Sequence, residues 1–227
     1  MIEITPKNAF TDFLNYLNDD FDYESLEERF DIIANHLMNN LCFEVGRLAY
    51  RIVELEIYYN DEKGKNQHAD PYVHCATEQL TVGEWYFNGF GLDITFGNKE
   101  ENFYGGILIR GIKKLDKNDE YISGPSNVLK EIFSNLGGIS GVGLGLCLRG
   151  FAGEKLEKMS PIKTTRIGLT KKDTDTQNYH KKKYRYLVEV NLQHKFKDKQ
   201  KVITELLVDG KRTKEEVKNI LGYNINL

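Results

Sequence analysis

The stretch RLAYRIVELEIYY, residues 47–59, limits the fold more than any other part of the chain. It is dense in Ile, Val and Tyr, side chains that suit a pleated, half-buried surface, and it reads as one long strand. Alternation puts Ile52, Glu54, Glu56 and Tyr58 on one face and Val53, Leu55 and Ile57 on the other. Two carboxylates sharing a face with Ile and Tyr need partners if that face is covered, because an unpaired buried carboxylate is costly. A solvated sheet edge is the plain alternative.

Helical signals precede this strand. Residues 6–19 carry Phe10, Phe13, Leu14 and Leu17 at helical spacing. Ser25 and Glu28 form a capping-box pattern for a second helix with Phe30, Ile33, Leu37 and Leu41 on one side. After a polar loop over 60–82 come the strand-like EWYFNGFGLDITFG and YGGILIRGI. ISGPSNVLKEIF reads as a loop entering a helix, with Ser123 or Ser126 as cap. TRIGLT and KKYRYLVEV read as late strands, and RTKEEVKNILGY as a helix capped by Thr213 and stopped by Gly222. This is an α+β order. It divides into a helical segment over 1–27, a main domain over 28–195 and a small C-terminal appendage over 196–227.

At 227 residues, 40% hydrophobic and 29% charged, the chain has the make-up of an ordinary globular protein with one sizeable core. The net charge of −3 is not that of an avid general DNA binder. Its distribution is uneven: residues 1–60 carry 4 Lys/Arg against 12 Asp/Glu, whereas 155–201 carry 14 against 5. The second segment offers a phosphate-facing surface or, more blandly, a solvated face. Cys42, Cys75 and Cys147 suggest neither a disulfide framework nor a metal knuckle, so a cytoplasmic location is expected. No signal peptide or membrane-spanning run is read.

The joint order of several segments resembles the alkyladenine (3-methyladenine) DNA glycosylase family. It comprises Arg51-Ile52-Val53-Glu54-Leu55-Glu56-Ile57-Tyr58, a loop bearing His68 and His74, and the hairpin Gly89-Phe90-Gly91. Leu108-Ile109-Arg110-Gly111, Ser123-Gly124-Pro125-Ser126-Asn127-Val128-Leu129 and Arg166-Ile167-Gly168-Leu169 complete it. No single piece is specific; the order over roughly residues 28–190 carries the resemblance. It implies a single mixed domain with a curved antiparallel sheet, similar to the C-terminal domain of methionyl-tRNA formyltransferase. It also implies base-excision DNA repair by a monofunctional glycosylase, acting on double-stranded DNA with a flipped base. No metal or organic cofactor and no membrane partner are implied, and a monomer is expected.

Residue by residue, the resemblance makes Glu56 the group that activates water, since a carboxylate can deprotonate water and stabilise the positive charge that builds on the sugar. Tyr58 would stack on the extruded base. His68 and His74 compete for the pocket histidine, the position after the strand favouring His68. Arg110 would support the flipped nucleotide, by forking onto phosphate or pairing with a carboxylate such as Glu54. Ser123, Gly124 and Ser126 would offer backbone N–H groups to a phosphate at a helix start. The family's hairpin wedge is a Tyr; here Phe90 takes the place, and Trp85 and Tyr86 lie in a stretch that fits less cleanly. Asp93 or Asn98 would stand in for a pocket Asn, and the arginines of the family's His loop are replaced by DPYVHCATEQ. These departures touch substrate identity more than fold.

Other readings stand beside these. His68, Asp70, His74 and Cys75 allow a metal reading without the spacing of a known zinc site. GGISGVGLGLCLRG lacks the strand–helix context of a dinucleotide fingerprint. The lysine runs 171–172 and 181–183, with Tyr179, Tyr184 and Tyr186 between and after them, are either solvated turns or nucleic-acid contacts. Two further functions remain: a diverged glycosidase acting on another modified base or a nucleoside, and a non-catalytic nucleic-acid binding module.

Overall fold

The computed structural model describes residues 6–19, 21–116, 118–136, 145–151 and 156–225. Two helices open the chain, α1 (Pro6–Leu17) and α2 (Leu26–Asn40), followed by the hairpin β1 (Leu41–Val45) and β2 (Leu48–Asn60). Next come β3 (Val82–Asn88), β4 (Gly91–Phe96), β5 (Tyr104–Lys114), β6 (Tyr121–Ser123) and α3 (Pro125–Asn135). Then follow β7 (Leu146–Gly150), β8 (Ile162–Thr164), β9 (Arg185–Leu187), α4 (Lys199–Val208) and α5 (Lys214–Leu221). All described strand pairs are antiparallel and form one curled sheet in the order β3-β4-β5-β2-β1-β7, with β6 on β5 and β9 joining β2 to β8. This is the mixed α and β domain with a curved antiparallel sheet that the sequence led us to expect. No helix among the described residues is long and apolar enough to cross a membrane.

β2 is the spine because both of its edges are paired. β5 runs along one, and β1 and then β9 occupy the other. One face is covered by α2: Phe30 packs edge-on against Tyr59 at 5.7 Å and against Tyr184 at 5.0 Å. Burying this aromatic face stabilises the fold by about 1.5–3 kcal/mol for each large apolar side chain fully removed from water. The opposite face carries Glu54, Glu56 and Tyr58.

Two irregularities shape that second face. The pairing Ile52↔Ile112 passes to Glu54↔Gly111 and then to Leu55↔Ile109, so Val53 is an extra residue on β2 and Arg110 an extra residue on β5. A bulge bends the strand and re-aims the extra side chain. Arg110 sits within β5 at this bulge.

Both ends of α5, and the Ser25 half of the α2 cap, form as the local sequence predicts. Ser25 Oγ accepts from the Glu28 amide at 3.2 Å, but the Glu28 carboxylate reaches back to the amide of Glu24, at 2.6 Å, rather than to that of Ser25. Thr213 and Glu216 form a full capping box, and Gly222 ends α5. For α3 the cap is Gly124, at φ 94° and without a side-chain bond, rather than Ser123 or Ser126. Leu41 starts β1 instead of ending α2. TRIGLT is a loop, with strand only through Thr164. Of GGISGVGLGLCLRG, residues 137–144 lie outside the described residues and the remainder holds β7. Tyr179, Tyr184 and Tyr186 are buried, so these rings belong to the core and not to a nucleic-acid surface. Lys182 pairs with Glu27 at 3.0 Å.

At the C-terminal end, α4 and α5 pack their own small core from Phe196, Val202, Ile203, Leu206 and Val217, joined to the sheet by Leu187 of β9. His194 lies next to this core, fully buried and stacked on Tyr121 at 5.0 Å.

Candidate active site

The carboxylates of β2 meet a set of buried arginines. Glu54 Oε1 accepts from Arg110 Nε at 3.0 Å and from Arg185 Nε at 2.8 Å. Arg185 also donates to the carbonyl of Lys197 at 3.0 Å, linking this pair to the segment before α4. Glu56 Oε2 accepts from Tyr58 Oη at 2.9 Å and from Arg110 at 3.3 Å, while Oε1 accepts from the Ile167 amide at 2.6 Å. A carboxylate can accept about four hydrogen bonds, so these three donors leave one acceptor position, on Oε1. Arg110 therefore pairs with both carboxylates, as the sequence allowed for Glu54.

Above them opens a cavity of about 490 Å³, lined among others by Tyr58, Tyr72, His74, Asp93, Arg110 and Gly168. Ligand sites commonly enclose roughly 300–1,000 Å³. Glu56 is fully buried beneath its lining: Tyr58 and Arg110, which face the cavity, hold it, as does Ile167, whose neighbour Gly168 forms part of the wall. Tyr58 presents its ring with a cation behind it, the Arg166 guanidinium lying 4.5 Å from the ring centre. Arg166 is itself fully buried and ion-pairs with the equally buried Asp70 at 2.7 Å. The charges touch off the hydrogen-bond line: Asp70 Oδ2 and Arg166 Nε have no aligned hydrogen-bond partner. Sequence reasoning placed Arg166 in a late strand and Asp70 among possible metal ligands. Their pairing instead fixes the loop that walls the cavity.

The two histidines separate. His74 lines the cavity, 6.5 Å from the Phe90 ring. His68, the residue favoured from sequence, is excluded from it and sits in the aromatic core, its ring 4.5 Å from Tyr179 and 5.6 Å from Tyr59. An imidazole in that position completes a cluster of rings, and burial lowers its pKa to about 4. The four-residue metal set is thereby dispersed: among the described residues no group of His, Cys, Asp and Glu could hold a metal ion.

Phe90 stands at the tip of the β3–β4 hairpin, 72% exposed, on the cavity rim. Asn88 Oδ1 accepts from the amides of Phe90 and Gly91, at 2.9 and 2.7 Å, which ties down the backbone of the tip. Tyr86 is paired in register with Asp93, which puts it beside the cavity on the same sheet face without lining it. Trp85 packs on Phe43 at 5.5 Å. Asn98 is occupied by a turn, accepting from the amides of Glu100 and Glu101 at 2.8 and 3.0 Å, so Asp93 is the one at the cavity. Pro125 lines the cavity at the start of α3, and the Gly124 amide donates to the Arg110 carbonyl at 2.7 Å. Ser126 is exposed and Ser123 half-buried. Gln79, which sequence reasoning missed, also lines the cavity, from a single 3-10 turn over Thr77–Leu80.

Burial pushes the Asp93 carboxyl up to about 7, with the Glu56 charge adding to the rise and the Asn88 amide opposing it. His194, like His68, is lowered to about 4 by burial. These shifts act oppositely on stability. An ordinary histidine titrates near 6.5, so each of these shifts costs nothing above that pH and destabilises the fold increasingly from there down to about 4, by about 3 kcal/mol in full. Asp93 is a burden above pH 7 that lifts as the pH falls through 7 towards 4. Urea unfolding of Asp93→Asn should therefore show a gain in stability at pH 8 and a steeper loss between pH 6.5 and 4 than the parent chain. Parallel profiles would contradict this account.

No family model matches the chain. Over 134 residues it is 34% identical to an uncharacterized protein of Acanthamoeba polyphaga mimivirus, a match covering 49% of this chain and 60% of that protein, so it spans less than two thirds of the relative's length.

Proposed function

We propose that this protein is a DNA glycosylase that hydrolyses the N-glycosidic bond of a damaged or modified base turned out of the helix. One observation carries the reading: a cavity with room for a nucleobase has an aromatic wall backed by a cation, an arginine and a carboxyl, and two of its lining residues, Tyr58 and Arg110, hold the buried carboxylate of Glu56. The base would stack on Tyr58, and Phe90 would enter the space it vacates in the duplex. Water taking the remaining acceptor position of Glu56 Oε1 would attack the sugar carbon and give its proton to the carboxylate. The bond to the base breaks with its electron pair leaving on the base, and an abasic site remains. The wall formed by Gly168, Leu169, Thr170 and Lys172 belongs to the basic stretch of the chain, which suits approach to phosphates.

A second reading draws on a different feature of the same site. Glu56 is wholly covered and already accepts three donors, as a structural carboxylate would, which favours a nucleic-acid binding module without hydrolysis. An abasic-site assay over modified bases in single- and double-stranded oligonucleotides, with nucleosides alongside, separates the two. Alkali-labile sites on at least one oligonucleotide are expected. Tight binding of the same oligonucleotides with every base retained would favour the binding module, and release from nucleosides alone would favour a nucleoside hydrolase.

A further inference from the structure

Gly106 of β5 lies opposite Tyr58 in the register, next to the stacking wall. A Cβ at this position would meet Gln79 Nε2 at 2.8 Å and Asp93 Oδ2 at 3.1 Å. Two polar atoms from separate elements thus converge on a spot that only a missing side chain leaves open. Both residues line the cavity while remaining buried overall, at 1% and 3% exposure. Each is also fixed from behind. Gln79 Oε1 accepts from the Ala76 amide at 3.2 Å, which turns the amide nitrogen towards Gly106. Asp93 Oδ1 accepts from Asn88 Nδ2 at 3.2 Å, which leaves Oδ2 for the cavity.

We propose that Asp93 and Gln79, given room by Gly106, read the edge of the bound heterocycle and select one with an N–H donor beside an acceptor atom. The donor faces the Asp93 carboxyl and the acceptor faces the Gln79 amide. Amino-substituted ring nitrogens and lactams have such an edge; a ring bearing acceptors alone does not. Tyr58 grips any flat ring and supplies little discrimination, so choice among bases falls to this pair. A ligand lacking the donor leaves Oδ2 of the buried carboxyl without a partner, and sites of that kind reject such analogues. The inference rests on the reading of the cavity as a base-binding site.

The test is a titration of the full chain with 2′-deoxyadenosine, 2′-deoxyinosine and purine 2′-deoxyriboside, followed by the amide shifts of Gly106 and Gly168. The first two nucleosides should bind about tenfold or more tighter than the third, the equivalent of one well-made hydrogen bond. Gly106→Ala, whose new methyl displaces the flexible end of Gln79, and Asp93→Leu should each bring the three to within about threefold of one another. Asp93→Asn, which keeps an acceptor in place, should retain the preference. Equal binding of all three to the parent chain, with Gly168 shifting, would overturn edge reading and leave ring binding intact. If no nucleoside moved either glycine up to its solubility limit, edge reading and the base-binding role would fall together.

Discussion

Glu56→Gln is expected to slow single-turnover base release by about 10²–10⁴-fold, the range a positioned general base supplies, while binding of a substrate oligonucleotide changes by no more than a few-fold. The substitution is close to isosteric. Glutamine keeps an oxygen for the Ile167 amide or the Tyr58 hydroxyl, and Arg110 still holds Glu54 at 3.0 Å, so the floor of the cavity should survive. What is lost is the capacity to accept a proton and the negative charge beneath the cavity, where the proposed mechanism puts the reacting sugar. Rapid quench on a labelled duplex reads the first quantity and fluorescence anisotropy the second. Unchanged release in a folded Glu56→Gln protein would remove Glu56 from the chemistry and direct attention to Asp93, the carboxyl that faces the cavity itself.

The second large effect is on stability. Arg166→Met should destabilise the fold by about 3–5 kcal/mol, because Asp70 would be left as an unpaired charge at 0% exposure. For a chain of this size that corresponds to roughly 6–20 °C in Tm. The double variant Asp70→Leu/Arg166→Met removes both charges and should recover much of the loss, since replacing a whole buried pair by apolar groups is often nearly neutral. Base binding should not recover with it, because the cation behind Tyr58 is missing in both variants and the wall over residues 166–172 is no longer tied to Asp70. Thermal melts and anisotropy on the same three proteins separate the two roles. Additive losses in the double variant would argue that the pair is not coupled as the geometry indicates.

Features written into neighbouring residues were legible in the sequence. The helix periodicity that buries Phe13, Leu17, Phe30, Ile33 and Leu37, the Thr213 cap and the alternation along β2 all depend on residues a few positions apart. The site was legible at Tyr58, His74, Phe90, Asp93 and Arg110, which all line the cavity, and at Glu56 buried beneath that lining. His68 and His74 share one polar loop with nothing local to separate them. A ring from α2, one from β2 and another from residue 179 decide that the first turns inward. Arg166 sits in a β-like string, TRIGLT, and becomes loop because its partner Asp70 is 96 positions away in the chain and holds it there. Gln79 gave no signal, since a four-residue turn has no periodicity to read. The cap of α3 was missed because a glycine with positive φ replaces the usual hydroxyl.

The extra residues at Val53 and Arg110 lie on partner strands and cancel, so the pairings on either side of them keep a common frame. Lengthening one strand alone by a single residue here would therefore not stay local. It would turn every later side chain of that strand over by one pleat, exchanging the polar cavity side for the aromatic side along the remainder of its length. Length changes at the heart of this sheet should accordingly survive in descendants of such a gene only as matched pairs, one in each strand.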